Sequence, residues 1–254
     1  MRAIIVAAGM GRRLAPYTDD RPKCLVDIGG KSILQRQVDA YRRAGVTRIA
    51  IVRGYMAERI VVDGEGVEYF ENRDYQRNNI LVSLFHAEPA MAEGFLFSYS
   101  DIVFRPEVVK QLVDAPHDYG LVIDRLWHEA YVGRTLHPES EAELARVDGD
   151  SGGIVRALGK RVVARDEAHG EFIGLARFSA AAAARMRAAY HEVRARGLAE
   201  PFGTAPRFEV AYLTDLLNHL IAAGEVMRSV EIDGGWREID TPQDLERARE
   251  IVDW

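Results

Sequence analysis

The 254-residue chain has a formal net charge of −6, with 48% hydrophobic and 28% charged residues. That balance is ordinary for a soluble globular protein and gives no basic surface for general nucleic-acid binding, so no nucleic-acid partner is expected. No stretch approaches the roughly 20 apolar residues of a membrane span, and the first apolar run passes straight into a glycine turn rather than a leader cleavage site. Cys24 is the sole cysteine, which rules out an intrachain disulfide and fits a reducing, cytoplasmic setting. No Pro/Gly/Ser-rich linker divides the chain, so residues 1–254 are expected to form a single domain; the oligomeric state is not legible, and a homo-oligomer stays open.

In chain order, Arg2 to Ala7 reads as a buried parallel strand that opens into Gly9 and Gly11. Ser32 is placed to cap a helix running to Arg43, which Gly45 ends. Strands are expected at Arg48 to Val52 and Val67 to Phe70, with a short helix at Tyr55 to Ile60 between them. Asn79 to Met91 has an amphipathic helical pattern through Leu81, Leu84, Phe85 and Glu88. A fourth strand, Phe95 to Tyr99, ends at Ser100-Asp101. Alternating strands and helices predict an α/β, Rossmann-like, mostly parallel (mixed) sheet with helices on both faces and ligands at the carboxyl ends of its strands.

The middle of the chain departs from that rhythm. Gly120 to Asp124 is strand-like, and Ala142 to Val147 and Gly153 to Leu158, joined through Asp148-Gly149-Asp150, predict a hairpin inserted as a small lid. Glu171 to Phe178 is a strand, and Ala180 to Arg196 reads as a solvated helix. A helix at Phe208 to Ala223 and a strand at Val226 to Ile232 follow. Thr241 and Pro242 supply the cap and first turn of a last helix reaching Val252.

Backbone N–H groups freed by Gly9 and Gly11, with Arg12, Arg13 and Lys23 behind them, suit a polyphosphate. A Walker loop would need Lys-Ser/Thr after the glycines, and none is there. A dinucleotide fingerprint would need a third glycine where Leu14 stands. A Gly-x-Gly pair alone can be a tight turn, and Arg12 alone a solvent-facing residue. The full string is more specific. Ala7-Ala8-Gly9-Met10-Gly11-Arg12-Arg13-Leu14-Ala15-Pro16-Tyr17-Thr18, followed by Pro22-Lys23, resembles the signature of the nucleotidyltransferases that make NDP-sugars and CDP-alcohols.

That resemblance implies a nucleotide-diphospho-sugar transferase fold and a set of roles. Ala7, Ala8 and Gly9 would contact the base and sugar. Gly11, Arg12 and Arg13 would hold the triphosphate, and Lys23 would bridge the phosphates of both substrates, making Arg13 and Lys23 the catalytic pair. Asp101 at a strand end and Asp240 in Ile239-Asp240-Thr241 match the family's two aspartates, which hold Mg²⁺; as lone residues each could equally be a strand-end or capping aspartate. Oxygen ligands of that number suit Mg²⁺, whereas Cys24 and the seven histidines show no zinc spacing. Asn78-Asn79-Ile80-Leu81-Val82-Ser83-Leu84 is similar to the phosphocholine cytidylyltransferase group, and Asn78, Asn79 and Ser83 have the amide and hydroxyl groups to read a pyrimidine edge or to cap a helix.

Glu171-Phe172-Ile173-Gly174-Leu175 resembles a family strand whose carboxylate faces the acceptor. Tyr212 and Trp236 are further acceptor candidates, with Asp124, Arg125, Lys160, Arg207 and Glu209 weaker ones. An aromatic cage for a quaternary ammonium could draw on Trp127, Tyr131, Tyr212 and Trp236, unless these aromatics are core. The implied reaction joins CMP from CTP to a small phosphorylated or phosphonylated acceptor of phosphocholine type and releases pyrophosphate. Two alternatives stay open: a sugar-1-phosphate nucleotidyltransferase using UTP, dTTP or GTP, and a non-catalytic nucleotide-binding regulatory protein.

Overall fold

The computed structural model describes residues 1–149 and 152–250. In chain order its elements are β1 (Arg2–Ala7), β2 (Asp27–Ile28), β3 (Lys31–Ser32), α1 (Ile33–Arg43), β4 (Ile49–Arg53), β5 (Val67–Glu71), α2 (Ile80–Phe85), β6 (Phe95–Tyr99), β7 (Ile102–Phe104) and α3 (Pro106–Asp114). These are followed by β8 (Tyr119–Asp124), α4 (Trp127–Tyr131), β9 (Leu144–Asp148), β10 (Ile154–Leu158), β11 (Gly170–Phe178), α5 (Ala180–Arg196), α6 (Leu213–Ala222), β12 (Met227–Ile232), β13 (Trp236–Glu238) and α7 (Pro242–Arg249). Turn residue Asp150 and the expected helix end at Val252 lie outside the described residues.

Among the described residues one nine-stranded sheet runs in the order β5-β4-β1-β6-β11-β8-β12-β10-β9. The first four strands are parallel, as the early strand–helix rhythm predicts. From β11 onward antiparallel pairing enters, and the parallel β8–β12 pair is flanked by antiparallel neighbours. Alternate residues of β1 feed two cores. Ile4 and Val6 pack with α2, α5 and α6 on one face, while Ala3, Ile5 and Ala7 pack with α1 and α3 on the other.

Local signals predicted most element ends. The Ser32 hydroxyl accepts from the Gln35 N–H at 3.1 Å, and Thr241 accepts from the Asp244 N–H at 3.3 Å while Pro242 opens the helix. The expected helix from Asn79 to Met91 is instead two pieces, α2 and a 3-10 turn at Glu88–Met91. Pro89 has no N–H to offer the Phe85 carbonyl, so the α-helical ladder stops there. Phe208–Val210 likewise forms a separate 3-10 turn before α6. Helix α5 is not solvated all round, since Ala182, Ala183, Met186, Tyr190 and Val193 make one buried face.

The inserted hairpin is not a flap above the sheet. Strand β10 pairs with β12, and β9 pairs with β11, Glu171 opposite Leu144, so the hairpin extends the sheet and curls it back onto β11. Gly174 permits the bend. It sits at φ +77 where the β11–β8 register shifts, and a Cβ there would stand 2.1 Å from the Tyr99 ring.

Candidate active site

Parallel pairing of Val6 with Tyr99 brings the loop after β1 and the Ser100-Asp101 turn after β6 to one edge of the sheet. The antiparallel β11 delivers its first residues, including Glu171, to that same edge. A second, two-stranded sheet completes the arrangement. β13 pairs with β7, Glu238 opposite Ile102, and the Ile239 N–H donates to the Asp101 carbonyl at 2.8 Å. This pairing sets Asp240 beside Asp101 across a sequence gap that no local pattern spans. Fully buried Gln37 on α1 fixes the turn from below by donating to the carbonyls of Tyr99 and Ile102, both at 2.7 Å.

These elements enclose a cavity of about 420 Å³, a size that suits a small molecule. Of the residues anticipated from sequence, Ala7, Gly9, Gly11, Arg12, Arg13, Lys23, Asn79, Asp101, Glu171, Tyr212, Trp236 and Asp240 line it. Ala8 sits beneath the wall, its carbonyl accepting from the Tyr55 N–H at 3.1 Å. Gly9 has nothing within 4 Å of where a Cβ would project, so its lack of side chain leaves the floor open. Gly11 is left-handed at φ +63, and a Cβ would meet Lys23 Cβ at 2.5 Å. The glycine therefore makes room for the lysine. Leu14, which displaces the third glycine of a dinucleotide loop, is fully buried against Val26, Ile33, Val103 and Ile239. It anchors the loop to the second sheet.

Lys23 is the hub of the charged floor. Its Nζ donates to Asp101 Oδ2 at 2.9 Å and to Asp240 Oδ1 at 2.6 Å, and Arg13 reaches Asp240 Oδ2 at 2.5 Å. Burial alone would lower the Lys23 pKa; Asp101, Asp240 and Glu238 outweigh it and hold the ammonium charged. Burial would likewise raise Asp240, but His137, Lys23 and Arg13 keep its carboxyl well below the usual range. Adjacent Cys24 is a buried thiol pushed up to about 12 by desolvation, which removes it as a nucleophile.

Two anticipated nucleotide contacts need correction. Asn78 and Ser83 do not line this cavity; they close a small network with buried Asn72. Asn72 Nδ2 donates to Asn78 Oδ1 at 2.7 Å and to Ser83 Oγ at 2.9 Å, and Asn78 Nδ2 returns a bond to Asn72 Oδ1 at 3.2 Å. Their polar groups are spent holding the turn before α2. Asn79 does both jobs, accepting from the Ile80 N–H at 2.8 Å as the cap of α2 while lining the cavity.

The aromatic cage also dissolves. Trp127 and Tyr131 belong to a separate core cluster with Ala142, Leu144 and Val163. Trp236 lines the cavity but is held by its indole N–H to Asp124 Oδ2 at 2.7 Å. Asp124 is committed there and to the N–H groups of Leu126 and Gly234, and Arg125 pairs with exposed Asp233; neither lines the cavity. Arg207 and Glu209 pair with each other at 3.6 Å and lie outside the cavity lining; Lys160 is part of it.

Sequence reasoning missed several residues. Glu141, Glu143 and Tyr99 line the cavity beside Lys160. His137 is fully buried, with Nδ1 3.0 Å from Asp240 Oδ2 and Nε2 3.6 Å from Glu238 Oε2. Arg134 clamps the same corner, donating to Asp244 at 2.6 Å and to Glu238 at 2.9 Å. His137, Glu238 and Asp240 come close enough to share a metal ion, although no histidine spacing in the sequence announces it.

Comparison with known proteins accounts for this geometry. The model of the MobA-like NTP transferase domain matches residues 3–200. The chain belongs to that family. It is 33% identical to the CTP:phosphoglutamine cytidylyltransferase of Campylobacter jejuni over 97% of this chain and 98% of that protein. It is 31% identical to the 2-aminoethylphosphonate cytidylyltransferase of Lancefieldella rimae over 75% of this chain and 72% of that protein. The fold matches the CTP:phosphocholine cytidylyltransferase structure from Streptococcus pneumoniae with a TM-score of 0.70 and 20% identity, over 99% of this chain and 98% of that one. The chain is therefore a nucleotidyltransferase of α/β fold with a mixed, helix-flanked sheet.

Proposed function

We propose that this nucleotidyltransferase transfers CMP from CTP to a small acceptor bearing a phosphate or phosphonate. The observation that carries the reading is the floor of the cavity, where Lys23 Nζ stands within hydrogen-bond distance of both Asp101 and Asp240 below an open glycine loop. Relatives named for CTP and for phosphorylated or phosphonylated acceptors support the choice of nucleotide and acceptor group.

The N–H groups of the Gly9–Gly11 loop and the Arg12 and Arg13 side chains take the triphosphate. An acceptor oxygen attacks the α-phosphorus, the bond to the β-phosphate bridging oxygen breaks, and pyrophosphate departs with that electron pair. A phosphate monoester has a second pKa of about 6, so it is already largely dianionic at neutral pH and no strong base is required. What must be overcome is the repulsion between two anions. Lys23 leaves its aspartates to bridge the reacting phosphates, and Arg13 stays with the departing pyrophosphate. Asp101 and Asp240 then have carboxylate oxygens free for Mg²⁺, and an all-oxygen pair at the cavity floor fits that ion. Asp101 and Asp240 would hold Mg²⁺, which would supply charge neutralisation and phosphate alignment.

The test is pyrophosphate release with Mg²⁺, each of the four NTPs, and a panel of phosphorylated alcohols, sugars and phosphonates. CTP with a non-sugar acceptor is expected to give the highest kcat/KM. Preference for UTP, dTTP or GTP with a sugar 1-phosphate would replace this reading, and nucleotide binding without any pyrophosphate would reduce the protein to a sensor.

A further inference from the structure

We infer that the acceptor carries a primary ammonium group, which docks against the buried carboxylates of Glu143 and Glu171; that this ligand is the acceptor rests on the transfer reading above. Glu143 immediately precedes β9 and Glu171 is the second residue of β11. The Phe172 N–H donates to the Glu143 carbonyl at 2.8 Å, so the two glutamates are neighbours on adjoining strands. Both line the cavity, and their residues are only 6% and 5% exposed.

Among the described residues neither carboxylate forms an ion pair. Each is met by one phenol instead, Tyr99 to Glu143 at 3.0 Å and Tyr131 to Glu171 at 2.8 Å. Glu171 Oε2 is buried with no hydrogen-bond partner. Desolvation raises the pKa of Glu143 to about 7 and that of Glu171 well above the usual range. A fold seeking only stability would do better with glutamine at either position, which keeps the phenol bond without a desolvated charge. Lys160 acts on Glu143 through space, holding its pKa below what burial alone would give, but it bonds to neither glutamate; its Nζ is turned to Glu141 at 3.3 Å and to the Tyr212 ring at 5.7 Å. Among the described residues the two glutamates thus have no cation bonded to them, and a ligand can bring one.

The donor pattern distinguishes a primary from a quaternary ammonium. Carboxylate oxygens with unused lone pairs call for N–H donors. A trimethylammonium has none and wants several aromatic faces around it; Tyr212 and Trp236 line the cavity, but Trp127 and Tyr131 are withdrawn into the core behind the wall, so no four-ring cage is assembled.

Phosphoethanolamine and phosphocholine differ only in the three methyl groups, so they make the decisive pair. Their binding to the full-length protein is measured calorimetrically with Mg²⁺ and a non-hydrolysable CTP analogue, and their turnover by pyrophosphate release; 2-aminoethylphosphonate and glucose 1-phosphate complete the panel. The amino compounds should bind at least about tenfold more tightly than phosphocholine or the sugar phosphate, and Glu143→Gln or Glu171→Gln should erase about tenfold of that affinity. The KM for CTP should stay unchanged in both variants. Equal or tighter binding of phosphocholine, no binding of any amino compound, or glutamine variants with undiminished affinity would each overturn the inference. Glutamate-dependent binding without pyrophosphate release would sink the transfer reading alone. Robust turnover of phosphocholine with CTP, indifferent to both glutamates, would sink this inference alone.

Discussion

On the glycine-loop side of the cavity, every buried charge already has a partner: Lys23 serves Asp101 and Asp240, and Arg13 serves Asp240. On the opposite wall, Glu143 and Glu171 bond to phenols and, among the described residues, form no ion pair. The first side must rearrange existing ion pairs to work, and the second must acquire one. Preorganisation by self-neutralisation keeps a charged site stable when empty, whereas an unpaired carboxylate stores a penalty that only the correct ligand relieves. The two sides should therefore respond in opposite directions to removal of their charges.

The largest effect is expected at Lys23. Lys23→Ala leaves Asp101 and Asp240 facing each other with only Arg13 and His137, both on Asp240, in support, and breaking a buried pair in this way costs about 4 kcal/mol. Urea unfolding without divalent ions should show that loss. Mg²⁺ should restore more stability to the variant than to the native protein, since it meets no ammonium between the carboxylates. An equal response of both proteins to Mg²⁺ would break the assignment of Asp101 and Asp240. Turnover should fall by several orders of magnitude whether or not Mg²⁺ rescues the fold.

Glu143→Gln should move stability the other way. Glu143 is raised from its ordinary value of 4.5 to about 7, so between these values the native state holds a proton that the unfolded chain has released. The stabilisation is complete below about 4.5, declines through that window, and is gone above about 7, a swing of about 3 kcal/mol as an upper figure. Unfolding at pH 5 and pH 8 should show the variant gaining on the native protein by up to that amount at the higher pH. Parallel pH profiles would mean that Glu143 is already compensated and that the two sides of the cavity do not differ.

Gly174→Ala tests how the acceptor wall is built. The new Cβ would stand in the Tyr99 ring at a φ that alanine resists, a cost of about 2 kcal/mol. Displacing Tyr99 removes the phenol from Glu143. The acceptor KM should therefore rise while that for CTP holds, and a rise in both would show that the strain spreads across the floor.

That asymmetry between the walls matches what the sequence makes legible. The β1 strand, the glycine loop, the Ser32 cap and the Thr241-Pro242 helix start are encoded within a few residues of each other, so local rules recover them. Asp101 and Asp240 could be nominated by motif, but their meeting depends on the β7–β13 pairing, and nothing local specifies it. Glu143 and His137 carry no motif at all. Glu143 becomes a wall residue only because β9 folds back onto β11, and His137 only because its segment reaches Asp240.

Asn78 offers the smallest expected effect and the cleanest check on a misleading residue type. An amide can read a pyrimidine edge or close a turn with the same atoms, so composition does not separate the two roles. The bonds to Asn72 and Ser83 assign Asn78 to the turn. Asn78→Ala should cost about 1 kcal/mol, the value of a typical buried hydrogen bond, and leave the discrimination between CTP and UTP untouched. Asn79→Ala, by contrast, should cost a similar amount as a lost cap and also weaken nucleotide binding, because Asn79 faces the cavity. If the two variants alter base preference alike, the nucleotide side reaches further toward α2 than its cavity lining indicates, and the turn is part of the base pocket after all.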